Sequence, residues 1–423
     1  MRPTPIPPPS GTRYAYYVLG VLAGINLLNY IDRQVLYALF PPIKEELDLS
    51  DLALGTLASA FMVTYLLAAP VMGMLGDRWV RSRLIAGGVF LWSVCTALSG
   101  LVRGYDELLV VRGLVGIGEV SYGTVAPAII ADYFPPARRA RMLAIFYMAI
   151  PVGSALGYLL GGLIGEWLGW REAFYVVGGP GVLLALLVWR LRDPPRGGTE
   201  EGVPPRGLGQ GVVRTLLGTP SYRLGVLSMT AVTFALGGLA AWLPTYFVRE
   251  WDMGVAEANA AFGIVTVVAG VTGTLSGGWL GDWLLRYTRR AYSLLSGVSL
   301  LASLPFGVLG LFVIEDPRPA LGILLVAEFL IFLNSGPLNA VIANVTPARI
   351  RSTAFALNIF FIHALGDAIS PSIIGHLSDG FGLRAALWLT PAAVAVGALV
   401  CLFIGRHLAE DMRRAGTLRE EGT

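Results

Sequence analysis

Two ionisable side chains stand side by side in an apolar segment near the start of the chain. Asp32 and Arg33 lie within residues 25–40, INLLNYIDRQVLYALF, inside an apolar run that begins near Tyr14. An ionised side chain in a membrane costs about 2.5–3.5 kcal/mol on insertion scales, so such residues usually face a cavity and mark function. Adjacent helical residues point about 100° apart, so we expect different neighbours for the two. Asp32 is predicted to be a site residue, whereas Arg33 has the alternative of reaching an interface with its long side chain.

A second pair of ionisable residues, Arg112 and Glu119, lies in the fourth apolar segment, RGLVGIGE. The two are seven residues apart, so they share a helical face with Gly116 and are separated by about 10 Å along the axis. In the topology derived below, Arg112 lies near the depth of Asp32. Because each charge needs a partner in a low dielectric, a contact between Asp32 and Arg112 is geometrically feasible.

The second half of the chain has fewer charges in its apolar segments. Glu328 is one, and His363 with Asp367 is a pair with helical i, i+4 spacing. An imidazole beside a carboxylate suits a proton relay, since histidine titrates near neutrality. A polar pair that only fixes helix packing explains the same spacing.

Composition shows which elements carry these residues. Hydrophobic residues make up 55% of the 423 and charged ones only 14%, which is typical of a polytopic membrane protein. Hydropathy predicts an all-α protein with twelve transmembrane helices. The predicted spans are 14–38, 52–75, 83–101, 107–131, 140–165, 171–190, 222–248, 256–280, 291–313, 319–344, 353–379 and 382–404.

The basic residues predict the orientation of the spans. Of the 31, 23 fall in the N-terminal tail, the even-numbered loops and the C-terminal tail. The positive-inside rule therefore places both termini in the cytoplasm. All but Lys44 are arginines, which favours a GC-rich bacterial genome and hence the bacterial inner membrane. No short apolar stretch with a cleavage site precedes the first span, so we expect no cleaved signal peptide.

An internal repeat predicts two halves. The stretch GMLGDRWVRSR, which contains Asp77, recurs as GGWLGDWLLRYTRR, which contains Asp282, and Pro136-Ala137-Arg138 recurs as Pro347-Ala348-Arg349. Duplication implies two pseudo-symmetric six-helix bundles. We expect a Pro-rich tail at 1–13, bundles at 14–192 and 215–405, a Pro/Gly-rich cytoplasmic linker at 193–214 and a cytoplasmic tail at 406–423.

The loops after spans 2 and 8 resemble the signature loop of the major facilitator superfamily. Each has G-x-x-x-D followed by arginines, although Val80 replaces a usual glycine in the first. The resemblance implies a cytoplasmic gate in which the aspartates pair with arginines. A loop that only enforces topology is the alternative. The gate would comprise Asp77, Arg138, Arg139, Asp282 and Arg349.

A narrower resemblance covers roughly the first 165 residues and is thinner beyond them. LLNYIDR in span 1, RGLVGIGEVSYGTVAPAIIADYF in span 4 and RMLAIFYMAIPVGSALGYLLGG in span 5 are similar to the Spinster family of facilitators. This similarity implies transport of lysophospholipids or sphingosine phosphates by alternating access, with proton coupling. Its expected substrate and proton residues are Asp32, Arg33, Arg112 and Glu119, to which the second half adds Glu328, His363 and Asp367.

Other function classes find less support. There is no Walker A motif, no H-E-x-x-H and no G-x-S-x-G, so we expect no enzyme and no cofactor. Cys95 and Cys401 lie in apolar spans, which favours packing over metal binding or disulfide formation. A channel or receptor would not need a gate-like loop in each half. The expected partners are an amphiphilic or anionic small molecule, protons and the bilayer, with no nucleic acid, and we expect a monomer. A porter of a small organic anion and a drug exporter remain alternatives.

Overall fold

The computed structural model describes residues 13–134, 136–194, 211–347 and 350–417, and these residues contain helices and no strands. In the first half, the described residues form eight α-helices. They are α1 (Arg13–Ala38), α2 (Phe40–Leu47), α3 (Asp51–Arg78), α4 (Arg81–Ser99), α5 (Tyr105–Tyr133), α6 (Pro136–Tyr147), α7 (Ala149–Trp167) and α8 (Trp170–Trp189).

In the second half, the described residues continue the helical pattern with two short π-helical segments, π1 and π2. The elements are α9 (Val212–Gly218), α10 (Pro220–Glu250), α11 (Val255–Leu284), α12 (Ala291–Val308), π1 (Leu309–Val313), α13 (Pro317–Phe332), α14 (Ser335–Asn344), α15 (Arg351–Ile362), π2 (His363–Asp367), α16 (Ser370–Phe381), α17 (Leu383–Ala386), α18 (Leu389–Ile404) and α19 (Leu408–Arg414).

Twelve helical stretches among the described residues are long and apolar enough to cross a membrane, which confirms the predicted number of spans. Some are interrupted. Span 5 consists of α6 and α7, which part at Met148, three residues before Pro151; a proline removes one backbone donor and crowds the preceding turn. Span 10 is divided between α13 and α14, and span 11 contains π2.

The chain divides into two compact units, Met1–Pro205 with Gly254–Gly263 and Arg206–Met253 with Ile264–Thr423. Each unit repeats one scheme of neighbours. In the first, α1 packs on α7 and α8, and α4 packs on α5 and α8. In the second, α10 packs on α15, π2, α16 and α18, and α12 packs on α13 and α18. The first span of each half thus meets the fifth and sixth, and the third meets the fourth and sixth, as expected of a duplication.

Small residues allow the helices around Asp32 and Arg33 to approach closely. A Cβ atom on Gly157 of α7 would lie 2.6 Å from the Ile31 carbonyl oxygen, and one on Gly116 of α5 would lie 2.3 Å from the Phe61 carbonyl oxygen. Any larger side chain would push α7 from α1 or α5 from α3, because neither contact is with a movable side-chain end. These two glycines position α1, α3 and α5 for the contacts described next.

Candidate functional site

One buried ion pair joins α1 to α5 in the first unit. Arg112 Nη1 lies 3.2 Å from Asp32 Oδ1, and each residue is 1% exposed. The Thr96 hydroxyl on α4 donates a hydrogen bond to Asp32 Oδ2. The equal depth of the two charges predicts this contact, and the structure brings them together. Because both oxygens of Asp32 are engaged, the pair fixes three helices relative to one another.

A second ion pair lies on the same two helices and involves the neighbouring residue of α1. Arg33 Nε donates to Glu119 Oε2 at 2.8 Å; the Glu119 side chain is fully buried and that of Arg33 is 17% exposed. Arg33 therefore has a carboxylate partner and does not simply reach an interface. Asp32 and Arg33 turn to different partners, as their angular separation predicts.

Aromatic rings surround the Arg33 guanidinium. Its Cζ lies 5.0 Å from the ring centroid of Tyr30, 4.9 Å from that of Phe61 and 5.2 Å from that of Tyr65. A guanidinium within about 6 Å of a ring centroid is attracted by the negative face of the ring. Phe61 and Tyr65 are four residues apart on α3, and the close approach at Gly116 brings them to Arg33. We call Tyr30, Phe61 and Tyr65 the aromatic cage.

Several buried polar atoms next to these pairs have no hydrogen-bond partner within the described residues. They include Glu119 Oε1, Arg112 Nε and Asn29 Nδ2. Such atoms are infrequent in folded proteins, and a catalytic or binding role is one of the explanations for them. Glu119 in particular keeps one carboxylate oxygen for a proton or another donor.

The histidine and aspartate of the second unit also meet. His363 Nδ1 lies 2.9 Å from Asp367 Oδ2 and 3.0 Å from Oδ1, and the two side chains are 34% and 22% exposed. The pair occupies π2, in which the Ala368 N–H donates to the His363 carbonyl five residues earlier. π-Helical turns inside α-helices occur frequently at functional sites.

Glu328 lies apart from this pair in its own surroundings. It is buried in α13 and lines a cavity of about 40 Å³ whose other walls are mostly apolar, with leucine the most frequent residue, and include the hydroxyl residues Ser303 and Thr390. Within the described residues its Oε2 has no hydrogen-bond partner. The structure therefore places Glu328 as a buried acid of the second unit without linking it to His363 or Asp367.

Comparisons with known proteins agree with this fold. The model of the Major Facilitator Superfamily matches residues 22–371. Human protein spinster homolog 1 is 35% identical in a match that covers 96% of this chain and 84% of the human protein. Protein spinster of Drosophila melanogaster is 33% identical in a match that covers 87% of this chain and 62% of the fly protein. The chain belongs to the Spinster family of the major facilitator superfamily.

Solved structures support the same membership. A crystal structure of a bacterial homolog to the human lysosomal transporter Spinster, in an inward-facing and occupied conformation, is 25% identical, with a TM-score of 0.85 over 95% of this chain and 99% of its own. The D-xylose-proton symporter, 19% identical with a TM-score of 0.69 over 93% and 98%, shares the fold. This chain is thus a Spinster-type transporter, and the predicted fold class of twelve helices is confirmed.

The signature loops of this Spinster transporter are described in part. Asp282 is exposed and accepts a hydrogen bond of 2.7 Å from the Tyr292 hydroxyl. Arg138 is exposed. The side chains of Asp77 and Arg139, and all of Arg349, lie outside the described residues. The aspartate–arginine gate therefore stays a prediction.

Next to the first signature loop, the structure shows a polar cluster that sequence reasoning missed. The backbone N–H groups of Arg81 and Ser82 donate to Asp193 at 2.5 and 2.8 Å, which caps the start of α4. The Arg81 guanidinium binds Asp132 at 2.6 Å and the Pro194 carbonyl at 2.8 Å. Asp193 opens the Pro/Gly-rich stretch, so its sequence context indicates a linker and not a helix cap.

Sequence reasoning also missed Thr96 and the aromatic cage. The contact of Tyr30 with Arg33 could have been predicted, since Tyr30 precedes Arg33 by about one helical turn. Phe61, Tyr65 and Thr96 had none, because hydroxyl and aromatic side chains are common in membrane helices and only the fold shows which of them face a charge.

Proposed function

We propose that the chain is a proton-coupled transporter of an anionic amphiphile, such as a lysophospholipid. The observation that carries the proposal is the Arg33–Glu119 pair inside the aromatic cage. The pair joins a partly exposed cation to a buried acid whose second oxygen has no hydrogen-bond partner among the described residues. In such a pair an anionic substrate can replace Glu119 as the partner of Arg33, and the released Glu119 carboxylate can take up a proton.

Substrate and proton are coupled through that exchange. An anionic head group that binds Arg33 competes with Glu119 for the guanidinium. A buried carboxylate without its cation is costly, whereas a neutral carboxylic acid is much less so. Substrate binding to Arg33 therefore favours a proton on Glu119, and loss of that proton favours return of Glu119 to Arg33 and release of the substrate.

The surroundings of Arg33 suit an amphiphile better than a purely polar anion. The cage presents three ring surfaces, which stabilise the cation and offer apolar contact to the carbons next to a head group. A second ion pair lies nearby: Asp32 is the residue before Arg33 on α1, and its partner Arg112 lies on the same face of α5 as Glu119, two turns earlier. We propose that this ion pair is a second site that can carry a proton, and that it holds α1 in place while Arg33 changes its partner.

His363 and Asp367 form a second candidate coupling pair. Both side chains are partly exposed, and the π-helical turn sets them against each other. They take the coupling role if the acids of the first unit do not exchange protons.

Uptake into proteoliposomes tests substrate and coupling together. The purified chain should take up an anionic lysophospholipid faster when a pH gradient is imposed in one of the two directions, and an Arg33→Gln variant should take up little. A panel with lysophospholipids of different charge, a small organic anion and a cationic drug separates the alternatives. Uptake of the small anion without any lysolipid would replace the proposed substrate, and equal rates with and without gradients would remove proton coupling.

We also propose that both termini face the cytoplasm of a bacterial cell, on the basis of the 23 basic residues at that side. The two native cysteines are free and buried, so an introduced cysteine can be labelled selectively. A membrane-impermeant maleimide should label Glu315→Cys in intact cells and Thr423→Cys only after permeabilisation. The reverse pattern would invert the topology.

A further inference from the structure

A cleft of about 640 Å³ lies in the first unit on residues that the ion pairs do not use. It is formed by the end of α3, the start of α4, the middle of α5 and the end of α8. Its volume is that of a typical small-molecule site. It is lined by Met72, Leu75, Arg78, Trp79, Val80, Arg83, Leu84, Gly87, Gly88, Leu91, Ile117, Ser121 and Trp189.

The cleft has a charged end and an apolar end. The helix ends at the mouth of the cleft carry two arginines and two tryptophans, Arg78, Trp79, Arg83 and Trp189. Trp79 and Trp189 are 60% and 58% exposed. From Arg83 to Leu91 the α4 wall continues for about 12 Å with aliphatic and glycine residues. A cleft of this form matches a molecule with one polar head and an apolar chain.

The positive charge at the mouth is available. Arg83 contacts the Trp189 ring, with Cζ 5.9 Å from its centroid, and neither Arg83 nor Arg78 has an ion pair with any described residue. Arg81, between them in sequence, differs because it is buried and bound to Asp132. Among the described residues that line the cleft, none carries a carboxylate. The cleft therefore attracts an anionic head group.

We propose that this cleft binds an anionic phospholipid of the surrounding bilayer, with its phosphate at Arg78 and Arg83 and an acyl chain along α4. The lining helices are membrane spans, and tryptophan with arginine at their ends is the pattern of a membrane–water interface. A chain entering there from the bilayer continues between α3 and α4 without leaving apolar surroundings. The bound lipid braces the α3–α4 turn next to the Asp193 cap, apart from the Arg33–Glu119 pair.

Gly87 offers a way to fill the cleft without disturbing its walls. No atom lies within 4 Å of a Cβ placed on it, so Gly87→Phe projects a ring into open space. Gly179 of α8 is equally open and does not line the cleft, which makes Gly179→Phe its matched control. Arg406, whose guanidinium lies 4.5 Å over the Phe403 ring outside the cleft, is the matched control for Arg83.

The test is native mass spectrometry of the purified 423-residue chain in detergent, which measures its binding of dioleoyl phosphatidylglycerol and of dioleoyl phosphatidylcholine. Wild type should bind one phosphatidylglycerol more tightly than phosphatidylcholine, and that lipid should raise its unfolding temperature. Arg83→Gln should weaken phosphatidylglycerol binding about fivefold, as expected for one interfacial arginine. Gly87→Phe should abolish the tight site, whereas Gly179→Phe and Arg406→Gln should bind as wild type does.

Three results would overturn the proposal. One is wild-type binding that does not discriminate between the two lipids, and another is a tight phosphatidylglycerol site that survives in both Gly87→Phe and Arg83→Gln. The third is a Gly87→Phe variant that keeps phosphatidylglycerol binding but loses lysophospholipid uptake, because the cleft would then belong to the transport path. Arg83→Gln changes only a surface side chain and keeps the proposal testable if Gly87→Phe fails to fold.

Discussion

Replacing Arg112 by glutamine is expected to destabilise the first unit by about 3–5 kcal/mol, because it leaves Asp32 as a buried charge without a cation. Asp32 and Arg112 are each 1% exposed, so water cannot take over the lost interaction. The loss should appear as a lower unfolding temperature of the purified chain in detergent. Asp32→Asn should also destabilise the first unit, since it leaves the buried Arg112 guanidinium without an anion.

The double variant Asp32→Asn/Arg112→Gln separates a buried ion pair from simple packing. With both charges removed, no unpaired charge remains, so the double variant should be more stable than either single one. Asp282→Asn, which changes an exposed carboxylate with a neutral hydroxyl partner, serves as the control and should shift the unfolding temperature little. Additive losses in the double variant would show that the two residues do not act as a pair.

The sequence predicts the membrane architecture of this chain well because the bilayer imposes simple physical demands. Three features can be recognised without a structure: the long apolar runs, the placement of the arginines and the repeated G-x-x-x-D loops. Asp32 and Arg112 could even be matched as partners, since their depths follow from counting residues along each helix. Depth and helical face are properties of single helices, and the sequence contains both.

Partners across helices are harder to predict. Arg33 and Glu119 lie on known faces of α1 and α5, but the rotation of the two helices about their axes decides whether they meet. That rotation is set by close contacts such as Gly157 against Ile31 and Gly116 against Phe61. The positions of glycines in the sequence do not show which residue of a neighbouring helix each glycine contacts. The π-helical turn at His363 was likewise hidden, because an i, i+4 pair fits an ordinary α-helix equally well.

Proton coupling leads to the prediction with the largest functional effect, the loss of concentrative uptake in Glu119→Gln. One coupled proton at a gradient of one pH unit supplies about 1.4 kcal/mol, or roughly tenfold accumulation of a substrate. Glutamine keeps the size of the side chain but cannot exchange a proton. In the gradient direction that drives wild type, the variant should therefore equilibrate its substrate without accumulating it.

Binding separates this loss of coupling from a damaged site. Glu119→Gln removes the anion that competes for Arg33, so it should bind an anionic lysophospholipid at least as tightly as wild type does at neutral pH. Arg33→Gln removes the cation and should bind it poorly. Weak binding by both variants would indicate a distorted site. Accumulation that survives in Glu119→Gln and in Asp32→Asn/Glu119→Gln would transfer the coupling role to His363 and Asp367, whose partly exposed side chains are hydrogen-bonded to each other within a predicted membrane span of the second unit.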